Sequence, residues 1–275
     1  MTKKIFILFI ILPLTLILSW GREGHFLIAR YAVQNLPKEM EYFKQWEDYI
    51  VKHSIDADNR KEIDGEDVKH FIDIDFYEEY FSGSVIHDKN QLVKKYGDSI
   101  VNSTGVLPWA TVTTYDNLVQ AFKEKNRDKV LILASDLAHY VADGHQPMHT
   151  ILNYDGQLSG QKGIHKRYET EMVERYKDEI VNSGLKDSLN IISNPLEFVF
   201  NYIIESNSYD PVIFSADNFA YQYTGSRKSE DYYKLLWFKT KHVTFNRINA
   251  ASNALSVLYY SAWASAGKPN LKEIN

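Results

Sequence analysis

The sequence predicts an all-α protein built as a single compact multi-helix domain. Two observations carry that expectation. The longest stretches repeat apolar residues at three- and four-residue steps, the spacing of one helix face. Glycine and proline are sparse, 13 and 7 of 275 residues, with no low-complexity segment and no internal repeat to suggest another architecture.

The chain opens with MTKKIFILFIILPLTLILSW, where Lys3 and Lys4 precede an apolar run from Ile5 to Leu18. That pattern predicts a secretory signal peptide over residues 1–19, with Ser19–Trp20 the preferred scissile bond because a small residue stands just before it. A signal anchor is the alternative, but the run is shorter than the roughly twenty apolar residues that span a bilayer. Residues 20–275 are then one domain, expected to be secreted or periplasmic, with no stable membrane span after processing and no signal for anything beyond a monomer.

Along that domain the periodicity predicts helices over 26–36, over 38–51 ending near His53, over a long pair from Tyr115 to Ala142 broken about Asn126, over 163–181, 196–206 and 243–266. Asp128 reads as a helix N-cap, with Leu131, Leu133, Ala134, Leu137, Ala138 and Val141 on the buried side. Residues 53–70, 82–113 and 143–163 read as long polar connections, the kind of segment that carries function. From Asn207 to Asp231 the pattern is aromatic and irregular.

Composition removes several chemistries. There is no cysteine, so neither disulfides nor thiolate ligands or nucleophiles are available. The formal net charge of −5 offers no basic stripe for tracking duplex phosphates. No Gly-x-Ser-x-Gly elbow, phosphate-binding Gly-Lys-Ser/Thr loop or dinucleotide fingerprint is present.

What remains is a set of nitrogen and oxygen donors. In HYVADGHQPMH, His139 and Asp143 stand four apart on a predicted helix and project from one face, which is chelating geometry. His149 follows beyond Gly144 and Pro147, where the helix should end, so it can turn toward a neighbouring site. His145 is out of phase with the first pair and reads as a bystander. In GIHKRYETEM, His165 and Glu169 repeat the four-residue spacing, and imidazole with carboxylate suits a hydrolytic zinc. His70 ends a loop that also holds Asp56, Asp58, Asp64 and Asp67, and spacing alone does not choose among the acids. WGREGH places His25 five residues after Trp20, which as a terminal residue can chelate through its amine and carbonyl oxygen, an amine acquired only on processing.

This ordered series resembles one superfamily, the bacterial zinc-dependent phospholipases C and the single-strand-specific zinc nucleases of fungi and plants. The resemblance runs from Trp20 to about Ala262. It implies an all-helical domain of that type and three zinc ions. By the same carry-over, Asp58, His70, His139 and Asp143 hold one zinc and His149, His165 and Glu169 a second. Trp20, through its amine and carbonyl, joins His25 and a bridging Asp143 at the third. The Ala-Asp dipeptide favours Asp58 over Asp56.

The two branches pull apart on detail. The short Trp-to-His spacing of WGREGH is nuclease-like, whereas the glutamate closing GIHKRYE is phospholipase-like, and Ala142 replaces the glycine usual before the aspartate. The implied activity is phosphodiester hydrolysis with Asp58 assisting the attacking water, leaning to a phospholipase C-like substrate. The alternatives are a single-strand-specific endonuclease or 3'-nucleotidase and, from another class, a secreted zinc-binding protein without turnover. Phe76, Tyr77, Tyr80, Phe81, Trp109 and Tyr154 could meet acyl chains or bases, or simply pack the core.

Overall fold

A computed structural model describes residues 20–184 and 189–274; the predicted signal peptide lies outside the described residues. Among them there are helices and turns and no strand, as the periodicity predicts. No helix among them is long and apolar enough to cross a membrane.

The architecture is a layered helix bundle. Its central helix, Arg127–His145, is buried along most of its length and packs against Leu107–Lys123, against the opening helix Gly21–Gln34 and against the C-terminal helix Glu230–Ser265. Glu47–His53 closes another side, and Asp210–Thr224 lies along the C-terminal helix. The main apolar core sits where these helices meet, with Ile28, Phe43, Leu118, Phe122, Leu137, Leu255 and Tyr259 all fully or almost fully buried.

Several predicted boundaries move, each for a local reason. The opening helix begins at Gly21 rather than Phe26, because buried Trp20 anchors its first turn and its carbonyl accepts from Gly24 N at 3.3 Å. That puts His25 inside the helix. A Cβ on Gly24 would stand 2.7 Å from Trp20 Cβ, so only glycine lets the indole lie this close to the turn. The N-cap of the central helix is Asn126, whose side chain accepts from Lys129 N, and Asp128 falls within the first turn. The segment read as a connection over 82–113 contains helices Lys89–Tyr96 and Asp98–Ser103, the former capped by Asp88, and Leu107–Lys123 starts with Pro108 in its first turn.

Residues 207–231 are not irregular: Asp210–Thr224 is a helix with Pro211 in its first turn. Its buried face is Asp210, Ile213, Ala216, Asp217 and Ala220, small or polar but for Ile213, while Tyr221 and Tyr223 face solvent. The last helix starts at Glu230, not Val243, since Thr240 is buried on its inner face and interrupts the apolar pattern ahead of Val243. The 163–181 segment is helical only in pieces, with one wide, π-type turn over Arg167–Glu171.

Candidate metal centre

The central helix supplies the floor of the site. His139 and Asp143 lie on one face, His139 Nε2 being 3.2 Å from Asp143 Oδ2, and both are wholly buried. Two loops are knitted over them by backbone bonds. Ile72 N donates to His149 O and Ile74 N to Thr150 O, so the strap carrying His70 and the turn carrying His149 are held together. Leu107 N and Val106 N fasten the same strap to the next helix through Phe71 O and Val68 O.

Four donors converge as a result. His70 Nδ1 is 3.0 Å from Asp143 Oδ2 and 2.9 Å from His139 Nε2. Asp58 Oδ1 stands 3.7 Å from His70 Nδ1 and 3.6 Å from His139 Nε2. Donors about 2.0–2.1 Å from a tetrahedral zinc lie roughly 3.3 Å apart, so these separations bracket a coordination edge. The donor set is compatible with a shared cation.

A second group forms beside the first. His165 Nε2 is 2.8 Å and His149 Nε2 3.4 Å from Glu169 Oε2, with the two rings edge to face at 4.9 Å. The wide turn over Arg167–Glu171 carries the Glu169 backbone, and the four-residue spacing still brings both ligand atoms together. The third group is His25 with Asp58 and His139. The His25 ring stacks parallel on His139 at 4.3 Å, and its Nε2 is 3.6 Å from Asp143 Oδ1. Among the described residues neither ring nitrogen of His25 makes a hydrogen bond although the side chain is buried. The two oxygens of Asp143 therefore look different ways, Oδ2 toward His70 and His139 and Oδ1 toward His25.

Trp20 closes the site from the N-terminal side. Its indole N–H donates to Ala142 O at 2.8 Å, and its backbone nitrogen lies 3.3 Å from Glu169 Oε2. The sequence-based grouping sets Trp20 with His25; here its nitrogen meets the carboxylate of the second group. His145 is buried, donates through Nδ1 to Val141 O at 2.8 Å and stacks on Tyr202 at 4.1 Å.

Three of the imidazoles are held in the form that binds a cation. Burial lowers His25 to about 3, helped by His139, and lowers His70 and His165 to about 4. These imidazoles are thus neutral, the form with a lone pair to give. His139 goes the other way: burial would lower it, but the neighbouring Asp143 and Asp58 outweigh that and lift it to about 9. Asp143 is held well below the usual carboxylate range, its burial overcome by His139 and His149. Glu169 is raised by burial to about 7.

Several supporting residues escaped the sequence reading. Ser54 O meets His139 Nδ1 at 2.8 Å and His70 O meets His149 Nδ1 at 2.6 Å, which fixes the ring orientations. Gln146 donates to Glu169 Oε2 at 3.2 Å, and Lys61 Nζ lies 2.6 Å from Asp58 Oδ1. Gln146 had a signal, being an amide in a stretch otherwise made of ligands and apolar residues; Lys61 had none. Among the candidate aromatics, Tyr154 lies edge-on to His165 at 5.9 Å, Phe81 is 75% exposed, Tyr77 is buried, and Tyr80 and Trp109 spend their polar ends on Asn207 and His87 O.

One nearby acid gives a pH test. Asp73 is buried and pushed up to about 7, first by burial and then by Asp75. A folded pKa above the unfolded value of about 3.9 means that its protonated form favours folding. That contribution is complete below about pH 4 and is lost as pH rises through 7. Asp73→Asn is therefore expected to gain stability over the parent between pH 5 and 8, on the order of 3–4 kcal/mol at the alkaline end, read as the difference in Tm across that range. A pH-independent difference would contradict it.

An all-helical domain with three buried groups of metal-grade donors around one carboxylate defines a class of metal-binding protein. The family model for zinc dependent phospholipase C matches residues 24–265, and the chain belongs to that family. Zinc dependence follows from membership, and the three donor groups are compatible with it. No curated protein matches the chain.

Proposed function

We propose that the protein is a secreted zinc-dependent phosphodiesterase with a three-zinc centre, acting as a phospholipase C on phosphodiester headgroups. The observation that supports it most is the Asp143 carboxylate, whose two oxygens face different donor groups and suit a bridge between two cations. On this reading Asp58, His70, His139 and Asp143 hold one zinc, His149, His165 and Glu169 the second, and Trp20, His25 and Asp143 the third. The buried nitrogens of His25, which make no hydrogen bond among the described residues, and the near-tetrahedral spacing around Asp58, His70 and His139 are what fit a resident ion.

Zinc held there supplies Lewis-acid stabilisation of the phosphoryl oxygens and a water activated near neutral pH. The protein's own groups do the rest. Asp58 Oδ1 lies 2.6 Å from Lys61 Nζ and faces His70 and His139, which leaves the buried Oδ2 as the atom to accept the proton of the attacking water. Ser54 O, His70 O and Gln146 hold the ligand side chains in place, so little rearrangement is needed when substrate enters.

The phospholipid substrate rests on Glu169, glutamate where the nucleases use aspartate, and on the acidic net charge. A nuclease reading is favoured instead by the Trp20-to-His25 spacing. Short-chain phosphatidylcholine against single-stranded DNA, with the zinc-loaded protein beginning at Trp20, separates them. Faster turnover of the lipid is expected; preferential cleavage of DNA would replace the lipid reading with the nuclease, and no turnover of either or of bis-p-nitrophenyl phosphate would leave a zinc-binding protein.

Processing gives a further expectation. A protein carrying one extra residue before Trp20 keeps its nitrogen in an amide, which donates no lone pair, so it is expected to bind zinc less completely and to lose activity. Metal content by atomic emission reads this. Equal stoichiometry and activity in both forms would remove Trp20 from the centre.

A further inference from the structure

A cavity of about 540 Å³ opens beside the segment that carries His165 and Glu169. Its lining includes five cations, Lys166, Arg167, Arg175, Arg227 and Lys228, against one carboxylate, Glu171. None of the nine candidate metal ligands lines it. So dense a positive concavity stands out in a chain whose formal net charge is −5.

Counting donors separates structural cations from available ones. Arg167 is spent: it bonds Lys162 O, Gln161 O, Tyr232 Oη and Asp217. Arg227 gives Nε and Nη2 to the same buried Asp217, leaving Nη1, and its guanidinium stacks 4.1 Å over Tyr221. Arg175 stacks 4.1 Å over Tyr233 and uses one nitrogen on Glu230, itself exposed, so Nε and Nη1 remain. Lys166 Nζ lies 3.5 Å from Glu171 Oε1, while Glu171 Oε2 takes the Tyr233 hydroxyl. Lys228 has no ion pair among the described residues.

Two guanidinium planes held by stacking, with two ammonium groups beside them, form a preorganised set of donors with only one lining carboxylate to answer it. Guanidinium forks match the oxygens of a phosphate, and a concave surface of one sign concentrates the field on an anion. We propose that this cavity is a phosphate-binding site separate from the metal centre, taking a terminal phosphate borne by an anionic phospholipid headgroup or free in solution. The inference rests on the cavity alone and stands whether or not the protein is a phospholipase.

The test compares the zinc-loaded protein with its Arg175→Gln/Lys228→Gln variant, both positions at the surface and neither in the metal centre. Unchanged zinc content and unchanged turnover of bis-p-nitrophenyl phosphate show that the variant is folded. Inorganic phosphate is titrated by calorimetry, and retention is measured on vesicles of phosphatidic acid in phosphatidylcholine. The variant is expected to bind one phosphate at least about tenfold more weakly. Loss of vesicle retention as well, or vesicle retention alone, assigns the lipid headgroup as the source; loss of phosphate binding alone assigns free phosphate. Identical isotherms and identical retention in both proteins would overturn the proposal.

Discussion

Asp143→Asn is expected to cost the protein its activity, with kcat/KM on bis-p-nitrophenyl phosphate falling on the order of 10³-fold or more. The reason lies in the two faces of the carboxylate. Oδ2 stands 3.0 Å from His70 Nδ1 and 3.2 Å from His139 Nε2, while Oδ1 is 3.6 Å from His25 Nε2. An amide keeps the shape but loses the charge, and it turns one of those oxygens into a donor facing imidazole nitrogens. Two donor groups are damaged by one substitution, so zinc content is expected to fall by more than one equivalent. Full zinc content with normal turnover would show that the carboxylate bridges nothing.

The second large effect is expected at Asp58. Asparagine there keeps an oxygen toward His70 and His139 but cannot take up a proton, so kcat is expected to fall by about 10²–10⁴-fold. The split between parameters carries the argument: KM should move little, and the acidic limb of the kcat profile should flatten. A matching loss of zinc with the acidic limb retained would make Asp58 a ligand and nothing more.

How far the sequence foretold these positions varies with the kind of element that holds them. His139 and Asp143, like His165 and Glu169, sit four apart on helical backbone, and that spacing alone fixes their common face. Asp58 and His70 come from a strap of short turns, where no period relates sequence distance to direction; family likeness chose Asp58 among its acidic neighbours, and the backbone bonds to His149 and Thr150 show why the strap arrives where it does. The helix Asp210–Thr224 was hidden because its inward face, apart from Ile213, is small or polar, with Asp217 buried in it between Arg167 and Arg227. Apolar periodicity does not register a face stabilised by ion pairs and tyrosine hydroxyls. Lys61 and Ser54 contribute to the centre through one ammonium and one backbone carbonyl, features that sequence patterns do not encode.

Anomalous diffraction at the zinc absorption edge, on crystals of the protein beginning at Trp20, measures the central claim directly. Three peaks are expected around Asp143, each about 2.0–2.3 Å from its ligand atoms, with one within reach of His149, His165 and Glu169 and another within reach of His25 and the Trp20 amine. Zinc peaks only at the surface, or none within coordination distance of Asp143 in fully zinc-saturated protein, would contradict the account.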